Sequence, residues 1–221
     1  MSDSIRLGTM LAFSGGFMDA YSYIERNHVF ANAQTGNILL FGVNLSEGNY
    51  QNAIKYFFPF FAFALGIALA EIVHNKNYHH FHWRQMSVLF EAVILLGVAF
   101  IPLSMNMVAN ALTSFACGIQ VESFRKIHGN GIATTMCIGN MRSGTQNLCL
   151  YFQKKDKSFL SKSMLYYGII ACFAIGAIVG NKVIYILNEK AILVCSIALF
   201  IAFLMMFIDM EKQKNKWLCR M

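Results

Sequence analysis

The chain has 221 residues, 57% of them hydrophobic and 13% charged, and a formal net charge of +7. Soluble domains carry about 25% charged residues, so an ordinary water-soluble globule is excluded. The basic residues gather in the gaps between apolar runs, which argues against a nucleic-acid surface and for loops at a membrane boundary.

A membrane-crossing helix needs about 20 mostly apolar residues. The first such run, Ile5 to Ile24, follows Arg6 with no A-x-A cleavage pattern, so it is read as a retained span and not as a leader. It carries Asp19, about 20 Å along at 1.5 Å per residue. A carboxylate at that depth needs a cavity or a partner.

The next segment, Val29 to Val43, is apolar at its ends and polar at its centre, Gln34-Thr35-Gly36-Asn37. Glycine and asparagine are poor helix formers, and irregular backbone at membrane depth survives only against protein or a wet cavity. It is therefore predicted to be a broken or re-entrant segment. Spans follow at Ala53 to Val73, Met86 to Leu103 and Asn106 to Phe124. Glu71, near the end of its span, and Glu91, six residues into its own, are weaker site candidates; Glu71 reads as reaching the headgroup region, and Glu91 has the same route open to it. The loop carrying His74, His79, His80 and His82 reads as a solvated interface, without the interleaved Cys or carboxylates of a metal site.

A second broken segment, Gly131 to Leu150, is centred on Gly139-Asn140-Met141-Arg142. Spans at Ser163 to Leu187 and Ala191 to Ile208 complete the chain, followed by a basic tail over 211–221. The six cysteines form no C-x-x-C pair, and five lie in apolar stretches, where thiols act as small hydrophobes.

The fold class is thus all-α: a polytopic membrane protein with about six transmembrane helices and two re-entrant segments, in one domain over 1–221. With six spans and the N-terminus inside, thirteen Lys/Arg fall on the cytoplasmic side and four, Arg26, Lys55, Lys182 and Lys190, outside. Eight spans would erode that asymmetry, so the positive-inside rule selects six, with both termini cytoplasmic.

The two halves echo each other. Gly15, Asp19, Tyr21 and Gly36-Asn37 recur at one constant spacing as Gly118, Glu122, Phe124 and Gly139-Asn140. Small residues four apart, Ala62, Gly66 and Ala70, are echoed by Gly176 and Gly180, a spacing that lets helices approach closely in lipid. Three spans per half force the copies, 5–103 and 106–210, into opposite orientations, the inverted-repeat plan of many transporters.

Candidate solute- or ion-binding residues are Asp19, Glu122, Gln34, Thr35, Gly36, Asn37, Thr134, Thr135, Gly139, Asn140 and Arg142. Asp19 and Glu122 read as a cation- or proton-carrying pair, with an interhelical hydrogen-bonding role as the alternative, for Glu122 above all because Arg125 lies three residues on. Helix breaks at the two G-N points would present N–H groups to anions or carbonyls to cations. Arg142 reads equally as an anion attractor or as an ion-pair partner of Asp19 or Glu122. The implied partners are the bilayer, a small molecule or ion, and a second copy of the chain. No nucleic acid, cofactor or metal is expected.

The stretches GGFMDAYSYI and FANAQTGNILLFG resemble the YoaK-like family of bacterial membrane proteins. The matching positions are Gly16, Asp19 and Ala20, then Thr35-Gly36-Asn37, then Gly139-Asn140. Ile138 departs from the second T-G-N. The resemblance implies a bacterial inner-membrane protein and no particular activity. A transporter or channel for a small polar or charged solute is the leading expectation. A membrane enzyme acting on a lipid or quinone, and a scaffold without turnover, are the alternatives.

Overall fold

The computed structural model describes residues 4–75, 83–127 and 129–218, with side chains to 206. Eight α-helices account for most of it: α1 Ile5–Ile24, α2 Gln34–Ser46, α3 Tyr50–Asn75, α4 Trp83–Val98, α5 Asn106–Ser123, α6 Cys137–Lys154, α7 Lys157–Leu187 and α8 Leu193–Leu218. A two-residue β-hairpin, β1 Lys126–Ile127 with β2 Asn130–Gly131, follows α5. The histidines at 79, 80 and 82 and the basic tail's side chains lie outside the described residues.

Helix ends sort into two groups. The start of α1 meets β1 after α5 through Gly8 and Ile127. The start of α4 meets the end of α5 through Ser87 and Ser123, 2.9 Å between hydroxyls. The end of α3 joins the same region through the Glu71–Arg125 ion pair. At the opposite end, Arg26 after α1 reaches the carbonyls of Val98 and Ile101 after α4, and Tyr21 donates to the Glu189 carbonyl after α7. Successive long helices therefore alternate in direction.

The other two helices pack on the outer part of their successors. At 13 residues, α2 is about 20 Å long, too short for about 30 Å of hydrocarbon. It lies on the first half of α3, where Phe41 packs against Phe57 and Phe60. Likewise α6 lies on the first half of α7: Ser163 donates to the Gly144 carbonyl, and the Thr145 and Tyr167 hydroxyls meet at 2.7 Å. Each broken segment is thus an extended entry followed by a helix, and its G-N dipeptide sits in the helix's first turn.

The largest helix–helix interfaces are α1 with α7 and α3 with α5. They use one device. A Cβ on Gly16 would collide with the Phe173 carbonyl and one on Gly176 with the Phe13 carbonyl. A Cβ on Gly66 would collide with the Phe115 carbonyl and one on Gly118 with the Phe63 carbonyl. All four helices carry F-x-x-G, and each glycine admits the partner's phenylalanine backbone. The match pairs Gly16 with Gly118, one residue away from the Gly15–Gly118 register read from sequence.

The outer surface is apolar. Ile38, Leu39, Phe100, Ile138, Tyr185 and Ile186 are all more than half exposed. Two helical stretches, Tyr50–Asn75 and Lys157–Met206, are long and apolar enough to cross a membrane by length and composition.

Among the described residues, α1 and α7 carry side-chain N-caps. The exposed Asp156 carboxylate accepts the Ser158 N–H at 2.8 Å. That bond, the Ser158 hydroxyl and the nearby Lys162 and Lys154 hold its pKa below the ordinary carboxylate value. The stabilisation is present above the unfolded-state pKa and is lost as pH falls through the lowered folded value. Asp156→Ala is expected to lower the melting temperature at neutral pH, with wild type and variant converging in acid. A gap that persists in acid would rule out capping as its cause.

Candidate functional site

The entry to α2 has no side-chain cap of its own. Asp19, buried in α1, supplies one from across the fold: its Oδ1 accepts the Asn32 N–H at 2.7 Å. The Asn32 side chain donates in turn to the Gly15 carbonyl at 3.1 Å. A carboxylate at the N-terminal end of a short helix also meets the positive end of the helix dipole.

The entry to α6 arrives at the same turn of α1. The Thr135 methyl rests on Gly15, where a Cβ would displace it. Both entry loops, coming from opposite ends of the bundle, therefore meet on Gly15. Around that contact the buried Ser14 hydroxyl, Asn32 Oδ1 and Thr135 hydroxyl have no protein partner among the described residues. Three unpaired polar groups on three segments are costly unless water or a solute meets them.

The asparagines of the two G-N motifs are braces. Asn37 is fully buried; its Oδ1 accepts the Phe30 N–H, and its Nδ2 donates to the Phe30 carbonyl and to Gln34 Oε1. Asn140 repeats the arrangement, donating to the Ala133 carbonyl at 2.7 Å, again seven residues back. Each fixes its entry loop over its own helix start, which leaves little of Asn37 to contact a solute. Gln34 donates to the Ala31 carbonyl and reaches Ser114 of α5 at 3.5 Å, tying the first half to the second. Gly36 packs under the Phe30 ring, whereas Thr35 and Gly139 are exposed.

Glu122 and Arg142 lie elsewhere. Glu122 is half-buried at the end of α5 and forms an ion pair with Arg125, which also pairs with Glu71. That is the alternative role noted from its spacing to Arg125. Arg142 is exposed on α6, without an ion pair among the described residues, so neither of its expected carboxylate partners is engaged.

The acid that accompanies Asp19 in the interior is Glu91. It is fully buried in α4, so it does not take the route to the headgroups that the sequence left open beside its weaker candidacy. Its contact is Gln120 of α5, with oxygens at 2.8 and 3.1 Å from one terminal atom of the amide, whose other terminal atom lies 2.9 Å from the Thr134 hydroxyl on the α6 entry loop. The buried Cys117 lies within the field of both acids and beside Asn32. Gln120 and Asn32 escaped the sequence reading. The available signal was a polar residue inside an apolar run or just before the Q-T-G-N stretch.

A helical bundle with an apolar exterior and a buried polar centre defines the class: this is a polytopic membrane protein. The chain belongs to the family described as Protein of unknown function (DUF1275), whose profile matches residues 7–205. It is 26% identical over 183 residues to the UPF0700 transmembrane protein YoaK of Bacillus subtilis (strain 168), covering 77% of this chain and 80% of that one. No solved structure matches it.

Proposed function

We propose that the protein is a transporter or channel for a small polar or charged solute in a bacterial inner membrane, crossing it six times as two inverted repeats over 5–103 and 106–210. The solute passes where the entries of α2 and α6 converge on α1. The observation that carries this reading is the meeting of both loops on Gly15, with Ser14, Asn32 and Thr135 presenting unpaired polar atoms beside Asp19. Re-entrant helices that enter from opposite faces and end at mid-depth concentrate backbone dipoles where a solute must cross. The end of the bundle carrying Arg84, Arg125, Lys126, Lys154, Lys155 and Lys157 faces the cytoplasm by the positive-inside rule, which also puts the N-terminus there.

Asp19 orients the α2 entry and sets the charge of the passage. Purified protein in liposomes, screened against amino acids, organic acids and inorganic ions, is expected to show flux of one of them. Asp19→Asn removes a charge-assisted hydrogen bond worth about 1.5–3 kcal/mol, which corresponds to roughly a tenfold to hundredfold loss of flux. Wild-type flux in Asp19→Asn would remove the site from the pathway.

A further inference from the structure

The Gln120 amide lies between a carboxylate and a hydroxyl, and both of its orientations are chemically complete. With its carbonyl toward Glu91, the contact at 2.8 Å is a hydrogen bond only if Glu91 carries a proton to donate; the amide N–H then donates to the Thr134 hydroxyl at 2.9 Å. With its N–H toward Glu91, the same contact serves an ionised carboxylate, and Thr134 becomes the donor to the Gln120 carbonyl. Between the two states the amide's oxygen and nitrogen exchange places, while Glu91 and Thr134 keep their positions.

We propose that Glu91 is an exchangeable proton site, and that the Gln120 amide turns over when the proton leaves, reversing the hydrogen bond at Thr134 on the α6 entry loop. This deepens the transport reading by naming a proton as a ligand of the same buried centre.

A metal cation fits the site poorly. A hard cation wants a shell of oxygen ligands, whereas Glu91 contacts the Gln120 amide and the other titratable groups that feel its charge are the Cys117 thiol of α5 and the Cys195 thiol of α8. Asp19 of α1 also acts on Cys117. Among the described residues no Lys, Arg or His pairs with Glu91, so a proton is the cheapest neutraliser of a fully buried carboxylate. Thr134 lies next to Thr135, which rests on Gly15, so the reversal is delivered to the place where the two entry loops meet.

Infrared spectra of the purified protein over a pH titration test this directly. The wild type is expected to show a carboxylic-acid C=O band that shifts in heavy water and disappears as pH rises. Glu91→Gln, close in shape and able to donate to Gln120, should lose that band. Gln120→Leu should keep it at a higher frequency, the acceptor being gone. The side-chain amide resonance of isotope-labelled Gln120 should follow the same titration and become pH-independent in Glu91→Gln. A band that is absent, constant across the titration, or unchanged in Glu91→Gln would overturn the proposal. These measurements need no solute: loss of the transport reading with the band intact would leave the proton site standing, and the reverse would leave transport without it.

Discussion

Alanine at Arg26 is expected to be among the most destabilising single substitutions in the molecule. The guanidinium is fully buried at the end of α1, where its Nε donates to the Tyr21 hydroxyl at 2.8 Å, Nη1 to Asn106 Oδ1 at 3.1 Å, and Nη2 to the carbonyls of Val98 and Ile101 at 3.2 and 2.8 Å. Tyr21 passes the network on to the Glu189 carbonyl, and Asn110 donates to the Arg26 carbonyl. One side chain thus joins α1 to the α4–α5 turn, and through Tyr21 to the α7–α8 turn. The planar fork of five donors suits carbonyl ends that no intrahelical N–H satisfies. Removing it takes a charged donor from the Ile101 carbonyl, Asn106 Oδ1 and the Tyr21 hydroxyl, while the Val98 carbonyl keeps the Ile101 N–H; bonds to a charged group are worth about 1.5–3 kcal/mol each, so a loss of that order or more is expected. Arg26→Lys keeps the charge but loses the fork and should fall between. Thermal unfolding in detergent checks both. Wild-type melting of Arg26→Ala would show that water replaces the guanidinium and that the network is incidental.

Gly16→Ala is the second large effect. The added methyl would land in the Phe173 carbonyl, and backbone cannot rotate away as a side chain can. The α1–α7 interface must open, which is expected to cost about 1–3 kcal/mol or more. Gly176→Ala should do the same from the other side, and Gly66→Ala and Gly118→Ala should repeat it at α3–α5. Because Gly16 and Gly176 guard one interface, the double variant should cost less than the sum, since the first methyl has already parted the helices. Gly168→Ala, with nothing within 4 Å of its Cβ position in the same helix as Gly176, is the control and should be neutral or stabilising by about 0.4–1 kcal/mol. Equal melting of Gly16→Ala and Gly168→Ala would show that helix propensity, and not close approach, governs these glycines.

The two effects differ in what made them foreseeable. Small residues four apart announced close helix contact, but which helices met was hidden. The natural guess pairs neighbours in the chain, whereas α1 packs on α7 and α3 on α5. Arg26 gave a contrary signal: it read as a loop cation outside the bilayer, yet it is buried, because the surrounding helix ends supply carbonyls that only the folded chain brings together. Glu91 misled in the same direction. Its position six residues into a span gave it a route to the headgroups, but α4 packs that face against α5 and α8.

Part of the architecture follows from local chemistry alone. Long apolar runs fixed where the helices lie, with α1 predicted over the residues it occupies. The polar, glycine-containing centres marked two segments that are not helical throughout, although the G-N dipeptides lie in the first turn of α2 and α6 and the irregular backbone precedes them, and an acid deep in the first span marked a centre that must be satisfied. Tertiary structure alone decided the rest. Asparagine in G-N could serve a solute or a loop until Asn37 was found bonded on both sides to Phe30. Asp19 and Glu122 could match as acids until one capped a loop and the other paired with Arg125. The physical reason is that hydrophobic length acts on each segment separately, whereas a buried polar group is settled by whichever partner a distant segment places within hydrogen-bond reach, and that partner is set by the packing of the whole bundle.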